Sequence, residues 1–224
     1  MNDDFGRLMA LLKRRRSCRD FEPENLDESL LKLLGQAFDQ SPTAGGRRDL
    51  ACEFISDRAR IKSLADLASQ AFDRLTDHFP SSFVAEEMKR YGKNFFWFHQ
   101  APCLAVITCR KPPTFLDEFA GPKAPLLWGG EMSAAMAAMA LLLAAESLKI
   151  GACCLSGPLS VWREVEKELG VSPQKELVLL IALGWMKERK AGGDQGLFPD
   201  ELHRQQRLSA EHCPIRGSAE PVDQ

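Results

Sequence analysis

"MSAAMAAMALLLAA", residues 132–145, runs fourteen residues without a charge between Glu131 and Glu146. Such a run is either a membrane span or a helix inside a globular core. At about 1.5 Å per residue it makes roughly 21 Å of helix, against a hydrocarbon layer of about 30 Å. It is too short to cross. A helix apolar on every face is one packed on all sides, and its Ala and Met content lets neighbouring backbones approach closely. The stretch therefore reads as the central core helix of a globular domain.

Composition agrees with a globular domain. A chain of 224 residues, 45% apolar and 27% charged, can bury a substantial core in one domain with a tail. The 29 basic and 31 acidic side chains nearly cancel, so no positive face of nucleic-acid size is expected, and no nucleic-acid or membrane partner. The N-terminus, MNDDFGRLMALLKRRR, is acidic before it is apolar and is interrupted by Arg7, unlike a secretory signal, which points to the cytoplasm. Seven cysteines, an odd number with no C-x-x-C pair and no His at ligand spacing, suggest reduced thiols and neither a disulfide framework nor a metal site.

Other elements fall into place around the core helix. Phe5, Leu8, Met9 and Leu12 repeat at helical spacing, predicting an amphipathic helix over 3–14. Asp27 is a fitting N-cap for a second helix that buries Leu30, Leu31, Leu34 and Phe38. SPTAGGRRDL (41–50) reads as a loop, 51–56 as a strand, and 58–78 as a helix with Ile61, Leu64, Leu67, Ala68, Ala71, Phe72 and Leu75 inward. A further helix is predicted over 83–98, ending in FFWF, then a buried strand over 103–109 and a proline-rich loop over 111–125. After the core helix come a strand running into a turn (152–157), a helix (161–169) closed by Gly170, and an apolar strand (176–184). Helices and strands alternate too irregularly for repeated βαβ units, so the class is α+β.

"LLKRRRSCRDF" (11–21) gathers Lys13, Arg14, Arg15, Arg16 and Arg19 in a chain of net charge −2. Lys13 and Arg14 are equally well explained as cations at the negative end of the first helix. Beyond Arg15, an extended backbone would point Arg15, Ser17 and Arg19 one way and Arg16 and Cys18 the other. Two guanidinium groups and a hydroxyl on one face offer bidentate donors for a phosphate and a further donor for a carbonyl some distance away, both of which flavin mononucleotide has.

Here the sequence resembles a family. RRSCRDF (15–21) is similar to the Arg-x-Ser-x-Arg signature that opens the nitroreductase-like flavoproteins. Three further pieces follow in that family's order: SPTAGGRRDL (41–50), AAMAAMALLLAAESLKIGACCLSGPL (134–159) and VWREVEKELGVSPQKELVLLIALGW (161–185). The likeness spans about residues 5–185. It implies a sandwich of helices around a central antiparallel sheet, an intertwined homodimer, and FMN at each interface.

The resemblance also implies roles. Arg15, Arg16 and Ser17 match positions that hold the phosphate and ribityl chain, and Arg19 the position at the N1–O2 edge, where a fixed cation stabilises charge arriving on reduction. Leu155, Ser156 and Gly157 match the turn facing N5, although LSGP also reads as an ordinary surface turn. Pro42, Thr43, Ala44 and Gly45 match the loop lent to the partner's flavin, small enough to approach a flat ring. Trp128, beside Gly129 and Gly130, is the candidate apolar wall of the substrate pocket. The FFWF run is a candidate too, with core packing equally able to explain it. Cys153 and Cys154 read as buried strand residues.

Departures from the family bear on the reaction. Gly46–Leu50 read GRRDL, without the usual Asn and Trp, a pattern closer to the azoline-oxidising branch; yet Leu127-Trp128 stands where that branch has Lys-Tyr. Lys149 occupies the place of a left-handed Gly after the core helix. Arg189 and Lys190 are candidates for a second phosphate-binding pair, or simply solvated. No G-x-G-x-x-G follows a strand, so no resident Rossmann site is expected and NADH or NADPH would visit as a transient donor. The expected function is FMN-dependent, NAD(P)H-driven reduction of nitro, quinone or other electrophilic small molecules. The alternatives are oxidation of a biosynthetic intermediate and a flavin-binding module without turnover. Residues 1–190 would form the FMN-binding domain, and the polar segment 191–224 an extension wrapping the partner subunit.

Overall fold

Strand β2 (Cys103–Arg110), sequence CLAVITCR, is buried along its first seven residues, so both of its faces must be covered. A computed structural model, describing residues 3–79, 81–92, 95–111 and 129–187, shows how. Four antiparallel strands form one sheet in the order β1 (Leu50–Ile55), β2, β4 (Lys175–Trp185), β3 (Ile150–Leu155). Cys52 lies opposite Ile107, Val106 opposite Leu180, and Ala152 opposite Leu183. Alternation along β2 sends Leu104 and Val106 to one face and Ala105 and Ile107 to the other, each into its own core.

On the first face pack helix α3 (Arg58–Thr76) and helix α6 (Trp162–Leu169), joined by the aromatic run at 95–98. On the second face pack α2 (Glu28–Asp39) and α5 (Gly130–Ser147), with α1 (Asp3–Arg14) against α5. This is the α+β sandwich the sequence implies. Asp57 starts α3 as a side-chain cap, accepting from the Ala59 N–H at 2.9 Å, whereas Asp27 holds the N-cap position of α2 without a side-chain bond. Left-handed Gly170 closes α6 as expected.

Several expectations are corrected. The aromatic helix over 83–98 is two pieces, α4 (Ser82–Gly92) and a 3-10 turn (Trp97–Gln100). The reason is packing: Phe96 and Phe98 are buried, Phe95 meets Phe72 edge-on at 5.9 Å, and Trp97 stacks on Phe21 at 6.2 Å, contacts that one helical stripe could not make together. These aromatics are core; Phe98, fully buried, contributes about 2–3 kcal/mol. Leu75 is exposed, because α3 carries Thr76 inward in its last turn. Among the described residues helix α5 is covered on one face only, with Met132, Met136 and Met139 at 54%, 46% and 37% exposure. Phe5, Leu8 and Leu12 of α1 are likewise uncovered. Within one chain an apolar surface of both helices thus faces outward. The loop at 111–125 and the extension at 191–224 lie outside the described residues, apart from Lys111.

The corner after α5 is built in the family manner without the glycine. Lys149 takes φ +60°, the only non-glycine among the described residues in the left-handed region, and β3 begins at once with Ile150, earlier than the sequence pattern suggests. Left-handed backbone costs a side-chain-bearing residue about 1–2 kcal/mol, whereas glycine adds about 0.5–1 kcal/mol of unfolded-chain freedom. Relief of strain wins. Lys149→Gly is expected to raise unfolding stability by roughly 0.5–1 kcal/mol, read as a higher denaturant midpoint at unchanged slope; a lower midpoint would contradict the strain.

Candidate functional site

The basic cluster divides where α1 ends. Arg14 Nε donates to Glu146 Oε1 at 2.6 Å, and that carboxylate is buried at the C-terminal end of α5. The pair is structural, since removing the cation would strand a buried charge. Arg15 still donates its N–H to the Leu11 carbonyl, and from there the chain leaves the helix. Ser17 forms a parallel bridge with Ala152 of β3, and the Cys18 N–H donates to the Ala152 carbonyl at 3.0 Å. Phe21 bridges to Met186, and the Glu22 N–H donates to the Trp185 carbonyl. Residues 17–22 therefore run beside the ends of β3 and β4, with Cys18 and Phe21 in the core and Arg16, Ser17 and Arg19 exposed.

The expected grouping of Arg15, Ser17 and Arg19 can be read from the buried thiol of Cys153. Burial raises its pKa, while Arg19, a hydrogen bond with the Ser17 side chain, and Arg15 pull the other way. Ser17 meets Cys153 of β3, and Arg15 and Arg19 are near enough for their charge to act on it. None of Arg15, Arg16 and Arg19 forms an ion pair among the described residues, so their charge is available to an anion.

At the far end of β3 stands the LSGP turn. Of the two cysteines expected to be buried on β3, Cys153 is buried but Cys154 is exposed, alternation along the strand turning it outward; Leu155 points into the core, Ser156 is exposed and Gly157 is buried. A Cβ on Gly157 would sit 2.2 Å from the Cβ of Phe95, so packing of the aromatic run requires this glycine whatever faces its N–H. The Leu159 N–H donates to the Ser156 carbonyl at 3.1 Å and the Ser160 hydroxyl to the Gly157 carbonyl at 2.7 Å, which fixes the turn. The four steps from Ala152 to Ser156 span about 13 Å.

The loop of Pro42, Thr43, Ala44 and Gly45 belongs to a different place. Its Ala44 N–H donates to Ser133 Oγ at 3.0 Å, and the Ser133 hydroxyl donates to the Gly129 carbonyl at 2.6 Å, at the N-terminal end of α5. Arg47 pairs with Asp49 at 3.1 Å beside it. The Arg15–Arg19 segment is tied to the other end of α5 through Arg14 and Glu146. From Ser133 to Glu146 the helix rises about 20 Å. The structure brings Arg15, Ser17, Arg19 and the β3 turn together along one strand and holds the 42–45 loop apart from them. Ser133 and Glu146, which anchor the two segments, were not singled out by sequence as site residues; the acid closing an apolar run opposite a basic cluster was the available signal. Trp128, Arg189 and Lys190 lie outside the described residues.

Comparisons with known proteins give this arrangement its family. The model of the Nitroreductase family matches residues 12–185, and the chain belongs to that family. None of the curated proteins matches it. Among solved structures, a BluB-like flavoprotein from Clostridium difficile 630 is 20% identical with a TM-score of 0.70, covering 88% of this chain and 96% of that one. A nitroreductase with bound FMN from Bacteroides fragilis NCTC 9343 is 17% identical at TM-score 0.63, covering 89% and 100%. Iodotyrosine deiodinase bound to FMN and 3-iodo-L-tyrosine is 19% identical at TM-score 0.61, covering 84% and 95%. At these identities the likeness is one of fold.

Gly129 joins the loop to α5. It has φ +72°, and a Cβ there would stand 2.7 Å from the Cβ of Ala44. Gly129→Ala is expected to cost about 1–3 kcal/mol through strain and overpacking, measured by thermal or denaturant unfolding. Adding Ala44→Gly should recover the overpacking part; a purely additive double variant would show that the two residues do not meet.

Proposed function

We propose that the protein is an FMN-dependent oxidoreductase that takes reducing equivalents from NADH or NADPH and passes them to an electrophilic small molecule such as a nitro compound or quinone. The observation carrying this reading is the set of guanidinium groups, without an ion pair among the described residues, on the segment docked on β3 by the Ser17–Ala152 bridge, in line with the Ser156 turn at the other end of that strand. This donor set fits FMN: cations and a hydroxyl for a phosphate and polyol at one end, a fixed turn at the other.

Arg15, Arg16 and Ser17 would hold the phosphate and ribityl chain, with Arg15 and Arg16 supplying charge-assisted hydrogen bonds. Bound FMN supplies reversible acceptance and return of hydride. Arg19 would keep positive charge at the N1–O2 edge, favouring the reduced form. The turn of Leu155, Ser156 and Gly157 would orient the N5 edge through its backbone. Pro42, Thr43, Ala44 and Gly45 would cover the ring of the other subunit, since in their own chain they sit some 20 Å along α5 from the guanidinium groups. Trp128 would complete the apolar wall.

A second copy of the chain follows from the same reading. The exposed apolar residues of α1 and α5 form a surface between the two halves of the site, and a homodimer buries that surface while bringing each 42–45 loop to the partner's β3. The extension after residue 190 would wrap the partner.

Purified protein is expected to take up FMN, and NADH or NADPH to bleach it; no flavin uptake would remove the proposal, and uptake without bleaching by either donor would favour the oxidising direction or a binding module. Arg15→Ala should weaken FMN binding by about 1.5–3 kcal/mol in a fluorescence titration. Arg19→Ala should retain flavin but lower its reduction potential. Equal loss of affinity alone in both variants would refute the division of roles. Met136→Asp should convert the dimer to monomer in sedimentation and lower FMN affinity with it; an FMN-loaded wild-type monomer would overturn the shared site.

A further inference from the structure

The absence of a side chain at Gly157 is not required by its own backbone. Among the described residues the left-handed glycines are Gly45, Gly46, Gly129 and Gly170, whereas Gly157 opens a 3-10 turn (Gly157–Val161) with ordinary helical angles. An alanine could take up that conformation. What excludes a side chain is Phe95: a Cβ on Gly157 would overlap the Cβ and Cγ of that residue and stand 2.9 Å from its Cδ1. The glycine leaves room for Phe95 to lie directly on the backbone of the turn.

Phe95 is itself held from behind. Its ring meets Phe72 of α3 edge-on at 5.9 Å and Phe96 edge-on at 6.3 Å, and its N–H donates to the Gly92 carbonyl at 2.8 Å. Gly92 ends α4, and a Cβ there would overlap the ring of Phe72, which is buried. Two rings thus fill the places of two missing side chains, Phe72 at Gly92 and Phe95 at Gly157. Rings packed at the density of a protein interior yield little and transmit displacement. A line of contacts therefore runs from α3 through Phe72 and Phe95 to the backbone of residues 156 and 157. The turn's other restraints are local: the Leu159 N–H donates to the Ser156 carbonyl, the Ser160 hydroxyl donates to the Gly157 carbonyl, and Pro158 is buried. Those bonds fix the shape of the turn. Phe95 sets how far it stands from the core.

We infer, resting on the reading of this turn as the one that meets the N5 edge of the flavin, that Phe95 is a positioning residue: through Gly157 it sets where the exposed Ser156 backbone stands against the ring. A misplacement of about 1 Å at a reacting centre can cost on the order of a hundredfold in rate. The phosphate would be held at the other end of β3, about 13 Å away, and would feel little of such a shift. Rate and cofactor affinity should therefore separate.

The test compares Phe95→Ala, which takes the Cγ and ring away from Gly157, with Phe95→Leu, which keeps the Cβ and Cγ, and with Ile61→Ala, a variant elsewhere in the same core. Amide hydrogen exchange of residues 156–160, recorded by NMR on the full-length protein before FMN is added, reports on the turn without the flavin. It is expected to rise by about tenfold or more in Phe95→Ala and to stay within about threefold of wild type in the other two, since turn amides exchange through local opening. With FMN loaded, Phe95→Ala should slow bleaching by NADH or NADPH by about tenfold or more while the FMN dissociation constant moves by less than about threefold, and Phe95→Leu should recover the rate. If Phe95→Ala does not fold, Gly157→Ala decides, because its Cβ disturbs the same contact from the turn's side: slowed bleaching at kept affinity is expected, and an unchanged rate overturns the inference. Unchanged turn exchange in Phe95→Ala, equally slowed bleaching in Ile61→Ala, or a leucine variant no better than the alanine one overturns it as well. Wild-type protein that takes up no FMN defeats the flavin reading, and the exchange rates still decide whether Phe95 positions the turn.

Discussion

The site depends on the length of one rigid helix. Helix α5 is pinned at its N-terminal end by the Ser133 hydroxyl holding the 42–46 loop and at its C-terminal end by buried Glu146 holding Arg14. An α-helix cannot shorten without losing its hydrogen bonds, so the two anchor points, Ser133 and Glu146, stay about 20 Å apart along the helix within a chain. Under the proposed function, a cofactor that touches both would take them from different molecules. The same helix exposes methionines along the face between those anchors, and Met adapts to a partner surface better than a branched side chain does. Oligomer contact and cofactor cover are on this view a single requirement, met by one element.

Electrostatics along residues 13–19 shows a division of labour that charge counting hides. Arg14 is spent on Glu146, a buried acid that would be costly if left alone. Among the described residues, Arg15, Arg16 and Arg19 have no such carboxylate. What orients the segment is backbone pairing with Ala152, and that pairing costs no charge. Among the described residues the cations form no ion pair, and the backbone does the docking. The Cys153 thiol nearby does not compete, since burial raises its pKa; the same cause pushes Cys103 of β2 and Cys52 of β1, further across the sheet, up to about 11 and about 12, so these thiols remain protonated near neutral pH and unsuited to attack as thiolates.

Sequence made the α+β class and most element boundaries legible, because those follow from local periodicity. The stripe Ile61, Leu64, Ala68, Ala71, Phe72 and the run CLAVITC bury as their spacing demands. It failed where tertiary packing overrides local pattern. Phe95 to Phe98 look helical by composition, yet they must enter the core in several directions, and the helix breaks before them. Lys149 looked like a departure from the family corner, yet the corner's geometry is imposed by what precedes and follows it, and the lysine accepts the strain. Of the candidate site, Arg15, Ser17 and Arg19 could be grouped from strand alternation alone. Their dependence on Ala152, and the separation of the 42–45 loop from them, needed the fold.

The reading of α5 as apolar on every face was right about the sequence and wrong about the single chain, and the difference is informative. Periodicity reports the surroundings for which a helix was selected, including any that come from outside its own chain. A helix with Ala134, Ala137, Leu141 and Ala145 toward its sheet and Met132, Met136 and Met139 away from it carries two apolar faces, of which one chain covers one. The uncovered stripe of α1, Phe5, Leu8 and Leu12, belongs to a helix packed against α5. Isolated exposed apolar residues are ordinary on protein surfaces, but six large ones on two packed helices make an extended apolar surface of the kind soluble proteins cover. The uniform hydrophobicity that first set the stretch 132–145 apart from a membrane span only by its length is therefore what a second copy of the chain, under the proposed function, would cover.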